Sequence, residues 1–152
     1  LLDMKVEPFL IASTVNIIVS QRLIRRLCKE KEEYTLSETE QKSLGKDIHF
    51  ERVLKVLKHE KIIDAKQESG DIVWGHPAKS DECPDGYKDR IGIHEVLEMS
   101  STIKELVMQN ATADAIEEQA LKEEMLSMLD EGFIRAAQKV TSIEEVLRVT
   151  SE

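Results

Sequence analysis

Two stretches with strand-like patterns, far apart in the chain, constrain the fold more than any other feature. Ile17–Leu27 is rich in β-branched residues, and Tyr87–Leu97 alternates apolar with polar side chains. Both patterns are typical of strands that cover one face. We predict that these strands pair antiparallel and that the residues between them form an excursion from the pair.

The excursion is predicted to hold short helices and a small hairpin. Residues 29–47 are polar and begin as a loop. Ser37 and Glu40 have the spacing of a capping box, and Gly45 would end the helix that they open. A second, amphipathic helix is predicted over Phe50–His59. The rest is predicted to be a hairpin of Ile62-Ile63 and Ile72-Val73-Trp74 around Gly70, then a loop over His76–Asp85.

Outside the excursion the sequence is helical. Pro8 suits the first turn of a helix that precedes the first strand. Hydroxyl residues that favour helix N-caps precede three of the four helices expected after residue 99, namely Ser100 or Ser101, Thr112, and Thr141 or Ser142. These elements together predict an α+β fold.

Composition excludes several classes of protein. Of the 152 residues, 41% are hydrophobic but only 4% are aromatic, so the core must be mostly aliphatic. The net charge of −9 opposes binding to nucleic acid phosphates. The apolar run that begins at Pro8 is shorter than the ~20 residues of a membrane-spanning helix, and no basic leader precedes it. We therefore expect a soluble, cytoplasmic chain.

The two cysteines are the first candidates for chemistry. Cys28 follows the first strand and Cys83 precedes the second, so antiparallel pairing would bring their thiols close. Two thiolates supply half of a tetrahedral zinc site. His49, His59 or His76 would have to complete the site, and none has a diagnostic spacing. Two reduced cysteines at a strand edge are the favoured interpretation.

The basic cluster Arg22, Arg25 and Arg26 permits two interpretations. Arg22 and Arg26 share one face of the strand and Arg25 lies on the other. The cluster could contact phosphates or an acidic partner surface. Local ion pairs with the many carboxylates of this chain are favoured instead. No catalytic constellation and no phosphate-binding loop emerges from the residues alone.

Long, ordered motifs carry a resemblance to a known family. LDMKVEPFLIAS at residues 2–13 and QRLIRRLC at 21–28 resemble the region after the histidine box of the GspE/PilB family. These are the assembly ATPases of type II secretion and type IV pili. GYKDRIGIHEVL at 86–97 is similar to the family strand G-Y-K-G-R-x-G-x-x-E-[VL]. Further matches are ADAIEEQAL at 113–121, DEG at 130–132 and TSIEEVLRVT at 141–150.

The resemblance implies a C-terminal fragment of such an ATPase, without its nucleotide-binding motifs. Family members bind ATP and magnesium in a RecA-like P-loop lobe and work as hexamers at the cytoplasmic side of the inner membrane. The expected partners are other subunits of the ring and an inner-membrane platform protein, and not nucleic acid. No catalytic or cofactor-binding residue is expected in this chain. The alternative is a free-standing, non-catalytic adaptor that binds the secretion machinery.

The resemblance also divides the chain into four segments. Residues 1–34 correspond to the distal end of the RecA-like lobe, and residues 87–99 form the returning strand. Between them, residues 35–86 are an insertion between the positions of a degenerate cysteine motif. Residues 100–152 form a C-terminal helical subdomain.

Two departures from the family pattern have consequences. Many relatives carry two C-x-x-C motifs that hold zinc, whereas Lys31 and Ser80 stand here where second cysteines are expected. Zinc is therefore doubtful, with Cys28 and Cys83 as the remaining positions. Asp89 replaces a glycine, which makes a positive φ at this position unlikely.

Four residues of the family motifs are assigned structural roles. Gln21, Arg22, Arg90 and Glu95 lie in the two paired strands. We expect at least one of the two arginines to bond a carboxylate such as Glu95, because a charge-assisted hydrogen bond would fix the strand pair.

Overall fold

The computed structural model describes residues 6–48 and 50–151. Helices and strands follow one another in an α+β order, as the sequence predicts. The strands are β1 Ile17–Leu27, β2 Lys31–Thr35, β3 Val73–Pro77 and β4 Tyr87–Glu98. The helices are α1 Pro8–Thr14, α2 Glu38–Asp47, α3 Phe50–His59, α4 Ser101–Met108, α5 Ala113–Lys122, α6 Met128–Ala137 and α7 Ile143–Thr150, with a 3-10 turn at Ser69–Asp71.

The predicted pair of long strands is confirmed. Strands β1 and β4 are hydrogen-bonded neighbours in a two-stranded sheet. At one end the Cys28 amide donates to the Gly86 carbonyl, 3.0 Å away, and at the other the Met99 amide donates to the Asn16 carbonyl at 3.0 Å. One strand therefore ascends as the other descends, which is the antiparallel arrangement.

The second sheet corrects two predictions. Residues 31–35 form strand β2 rather than a loop, and β2 pairs antiparallel with β3, with Tyr34 opposite Trp74. Strand β3 was expected to pair with Ile62-Ile63, which lie in a bend after α3. The polar sequence of β2 hid the strand, because two of its five side chains are half-buried and the rest are exposed.

Helix α2 begins as predicted and ends later. The Ser37 hydroxyl accepts from the Glu40 amide, and the Glu40 carboxylate accepts from the Ser37 amide at 2.8 Å, which completes the capping box. The helix continues through Gly45 to Asp47. A glycine favours a helix end but does not force one, so the prediction of a stop at Gly45 was wrong.

The chain divides into two compact units. The first contains Leu1–Gln21 and His94–Ser127, and the second contains Arg22–Ile93 and Met128–Glu152. Helices α4 and α5 therefore fall in the first unit and α6 and α7 in the second. The helical subdomain expected at 100–152 stays a prediction.

The first unit has a small aliphatic core. Helix α1 packs against α4, and α4 packs against α5. Buried Ile11 of α1 and Ile103 of α4 lie at its centre. The other buried members of the core are Met99, Val107 and Ala120.

The core of the second unit contains most of the aromatic packing. The Phe133 ring of α6 meets the rings of Phe50 and Trp74 edge to face, with centroids 6.2 and 6.0 Å apart. Val53, Leu57 and Ile72 are buried with them. The apolar side chains of the insertion therefore pack against α6. Ile24, Ile93 and Val149 form a separate buried cluster.

None of the helices within residues 6–48 and 50–151 has the length and apolar character that crossing a bilayer requires.

Candidate functional site

A fully shielded carboxylate, Glu145, lies between two arginines in the second unit. Its side chain has no exposed surface. Arg25 of β1 donates from Nη2 and Nε to Oε2 at 2.7 and 3.0 Å. Arg148, one turn along α7, donates from Nη2 to Oε1 at 2.8 Å and from Nε to Oε2 at 2.9 Å. The Arg25 amide adds a bond to Oε1 at 3.0 Å, so strand and helix are fastened at both backbone and side chain.

The start of α7 brings Glu145 to this position. Ser142 caps the helix, because its hydroxyl accepts from the Glu145 amide at 3.2 Å. The buried Thr141 hydroxyl donates to the Arg25 carbonyl at 2.8 Å. Tyr87 of β4 hydrogen-bonds the Ser142 hydroxyl at 2.7 Å. The cap and the strand pair are therefore one hydrogen-bonded network.

Arg25 makes two further contacts. Its guanidinium carbon lies 4.1 Å from the centroid of the Tyr87 ring, which is a cation–π geometry. Its Nη1 lies 3.6 Å from the Asp85 carboxylate. The interpretation of local ion pairing is confirmed for this arginine.

The electrostatics of the network keep the carboxylate charged. Burial alone would raise the pKa of Glu145, but hydrogen bonds from Arg148 and Arg25 outweigh it and hold the pKa at about 2. Hydrogen bonding to Glu145 raises the pKa of Arg25. Burial raises the pKa of Tyr87, against its hydrogen bond to Ser142. At neutral pH the Glu145 carboxylate is therefore ionised and Arg25 is protonated. None of these pKa shifts brings a group of the network close to pH 7.

The four predicted strand residues lie in β1 and β4. Arg22 donates from Nη1 to the Val149 carbonyl of α7. Gln21 and Arg90 are exposed, and Glu95 is half-buried. The bond between Arg22 or Arg90 and Glu95 stays a prediction.

The structure brings Cys28 and Cys83 together. Their sulfur atoms are joined as a disulfide, with the Cα atoms 6.7 Å apart. The expectation of two reduced cysteines is therefore corrected. Strand β1 ends at Leu27 and the Cys28 amide bonds Gly86, so the end of β1 and the loop before β4 lie side by side.

Comparison with known proteins adds the decisive observation. The family model described as "Type II/IV secretion system protein" matches residues 1–148. The chain belongs to this family. It is 34% identical to the type IV pilus assembly ATPase PilB of Pseudomonas aeruginosa and 32% identical to the type II secretion system ATPase E of Vibrio cholerae. It is 36% identical to the type II secretion system protein E of Xanthomonas campestris pv. campestris.

The matches cover 99–100% of this chain but 24–26% of those three relatives. The chain therefore spans about a quarter of the length of these members of the type II/IV secretion family. This chain corresponds to that quarter of the three relatives.

The zinc ion that the resemblance to the family implies does not fit the described residues. Within residues 6–48 and 50–151 there is no group of three or more His, Cys, Asp or Glu side chains placed to hold a metal ion. Two joined sulfurs also lack the thiolate charge that zinc requires. No step of any function proposed below passes through zinc.

The described residues also form no glycine-rich loop of the kind that cradles a nucleoside triphosphate. A phosphate cradle is built from successive backbone N–H groups in a glycine-rich loop. Among the described residues Gly86 is the glycine with a positive φ. Its amide donates to the Cys83 carbonyl and is therefore not available to a phosphate. The sequence contains no G-x-x-x-x-G-K-[ST] pattern.

Asp89 contradicts the expectation from the family pattern. Its φ is +67°, so it adopts the left-handed conformation that the family glycine would supply. Aspartate tolerates this conformation better than most residues, so the left-handed backbone does not require glycine at this position.

Sequence reasoning missed Glu145, Arg148 and Tyr87. A signal was present, because Ser142 and Glu145 have capping-box spacing ahead of an apolar face. That spacing predicts a Glu145 side chain turned to its own N-cap. The structure directs it to Arg25 instead.

Proposed function

We propose that this chain is the C-terminal part of a secretion or pilus assembly ATPase. In that protein it would help shape the hexameric ring and pass ATP-driven motion to an inner-membrane platform protein at the cytoplasmic side. The observation that carries this proposal is the family match over residues 1–148, together with relatives named as assembly and secretion ATPases. ATP and magnesium would be held by the rest of the protein.

The Glu145 network supports a role in transmission. Glu145 is fully shielded and holds Arg25 of β1 and Arg148 of α7 by two hydrogen bonds each. A displacement of the helix would therefore carry the strand with it, because separating them would take Arg25 away from the fully shielded Glu145 carboxylate. The network serves as a rigid connection rather than as a reaction centre.

The test is Glu145→Gln in the complete protein that contains this chain. We expect assembly of pili or export of protein to fall, while the ring still forms and ATP hydrolysis continues. Glu118→Gln is the matched control, because Glu118 forms an exposed pair with Lys122 on α5. Equal transport by both variants would contradict the transmission role.

One observation distinguishes the adaptor alternative from the motor. A free-standing adaptor would be encoded without an upstream ATPase lobe. Sequencing the gene upstream of the Leu1 codon separates the two: an in-frame G-x-x-x-x-G-K-[ST] supports the motor, and a stop codon with a start at Met4 supports the adaptor.

A further inference from the structure

The Cys28–Cys83 pair occupies a backbone frame that does not depend on the bond between the sulfurs. The Cys28 amide donates to the Gly86 carbonyl at 3.0 Å, and the Gly86 amide donates to the Cys83 carbonyl at 3.0 Å. Cys83 and Ser80 exchange amide-to-carbonyl bonds in both directions, at 3.0 and 3.1 Å. The two Cα atoms, 6.7 Å apart, are therefore held within the range that a disulfide spans even when the thiols are reduced.

A small molecule can reach the sulfurs from one side. Both cysteines are buried, at 8% and 3% exposure, but both line a cavity of about 250 Å³. Its rim carries two lysines and two glutamates as well as Ser80, namely Lys29, Lys88, Glu30 and Glu82. Because the two signs balance, the rim does not repel a small disulfide that carries both ammonium and carboxylate groups.

We propose that Cys28 and Cys83 are a thiol–disulfide modification site for a low-molecular-weight peptide disulfide of the glutathione class. One cysteine thiolate attacks a sulfur of the small disulfide, which forms a mixed disulfide on the protein and releases one small thiolate. The second cysteine thiolate then attacks the protein sulfur and releases the other. Two protein thiols are oxidised to one disulfide, and the small disulfide is reduced to two thiols that take up the two protons.

The modification has a structural consequence for the insertion. The bond joins residues 55 positions apart and closes a loop that contains β2, α2, α3 and β3. Closing the loop restricts the unfolded chain more than the folded one. Oxidation therefore stabilises the second unit, while the backbone hydrogen bonds keep the end of β1 beside the loop before β4 in both redox states.

The experiment equilibrates the purified chain in mixtures of reduced and oxidised glutathione and counts alkylated thiols by mass spectrometry. We expect two alkylated thiols in reduced glutathione and none in excess oxidised glutathione, with full reversal. We expect the melting temperature to rise by roughly 5–15 °C on oxidation. Single variants Cys28→Ser and Cys83→Ser should each trap one glutathione, since the resolving thiol is missing.

The control is the double variant C28S/C83S, whose melting temperature should not respond to the glutathione ratio. Two thiols that remain alkylated at every ratio would overturn the proposal. Stoichiometric zinc bound to the reduced chain, protecting both thiols from alkylation, would overturn it as well and would favour a metal site. Because neither result depends on ATP or transport, this test can fail without touching the proposed motor function.

Discussion

Glu145 shows how one residue can be buried and still ionised. Its carboxylate has no exposed surface and would be costly to charge there alone. Four side-chain hydrogen bonds and one amide offset that cost. The pKa of about 2 lies well below the ordinary 4.5, so the network contributes stability above pH 4.5 and loses it as the pH falls toward 2.

Replacing Glu145 with Gln should lower the free energy of unfolding by roughly 3 kcal/mol at pH 7, because two arginines lose their partner. The difference in the free energy of unfolding between wild type and variant should shrink as the pH approaches 2, because the wild-type carboxyl becomes protonated there. Urea unfolding at a series of pH values measures both effects. A gap of equal size at pH 7 and pH 2 would show that the lost stability has another source.

Asp89 gives a second prediction at this scale. Its φ of +67° strains most side chains, and a β-branched one most of all. Asp89→Val should therefore lower the free energy of unfolding by about 1–2 kcal/mol, and Asp89→Gly should raise it by up to ~1 kcal/mol. Thermal melts of both variants check the signs. The control is Lys88→Val on the same strand, where valine should be tolerated; a similar loss there would remove the conformational explanation.

Close helix packing explains an element-scale feature, the glycine within α6. A Cβ at Gly132 would lie 2.5 Å from Val146 Cγ1 of α7. Both residues are buried, and valine cannot turn aside easily because it is β-branched. The absence of a side chain at Gly132 therefore sets how near α6 and α7 can pack.

Gly132→Ala should destabilise the chain although alanine is the better helix former. Overpacking costs about 1–3 kcal/mol and the gain in helix propensity returns about 1 kcal/mol. Denaturant unfolding should show a net loss. Gly70→Ala is the matched control, because the nearest atom to its added Cβ is Gln41 Nε2 at 3.7 Å. If Gly132→Ala stabilised the chain as Gly70→Ala can, the close approach would be refuted.

At the scale of the whole molecule, the first expectation concerns nucleotide. The 152-residue chain should neither bind nor hydrolyse ATP appreciably, because tight triphosphate binding needs a cradle of backbone amides and a lysine on the phosphates. Isothermal titration calorimetry of the purified chain measures this directly. Micromolar affinity for ATP would contradict the expectation and would show that this chain itself contains a nucleotide-binding site.

The second whole-molecule expectation is that the chain folds without zinc. A complete site can contribute roughly 10–16 kcal/mol, but only Cys28 and Cys83 remain of the four family positions. The packing of Trp74, Phe50 and Phe133 supplies stability in its place. Metal analysis of the reduced chain, with melts in the presence and absence of EDTA, is the measurement. One zinc per chain and a melt lowered by EDTA would prove the expectation wrong.

The sequence alone determined the elements whose signals are local. The capping box at Ser37, the amphipathic face of α3 and the alternation of β4 each depend on residues within one or two turns or along one strand, and the structure bears them out. The family motifs at 21–28 and 141–150 contain Arg25 and Glu145, but the sequence did not show that the two segments meet.

Only the tertiary structure decided which residues become partners across the chain. Lys31–Thr35 forms a strand because it pairs with the edge of β3. Its own residues are too polar for their pattern to predict a strand. Asp89 has a positive φ within β4, although the replacement of a glycine argued against it. Glu145 hydrogen-bonds Arg25 because the cap at Ser142 carries its side chain to β1. Long-range pairing depends on how elements pack, and no local pattern records it.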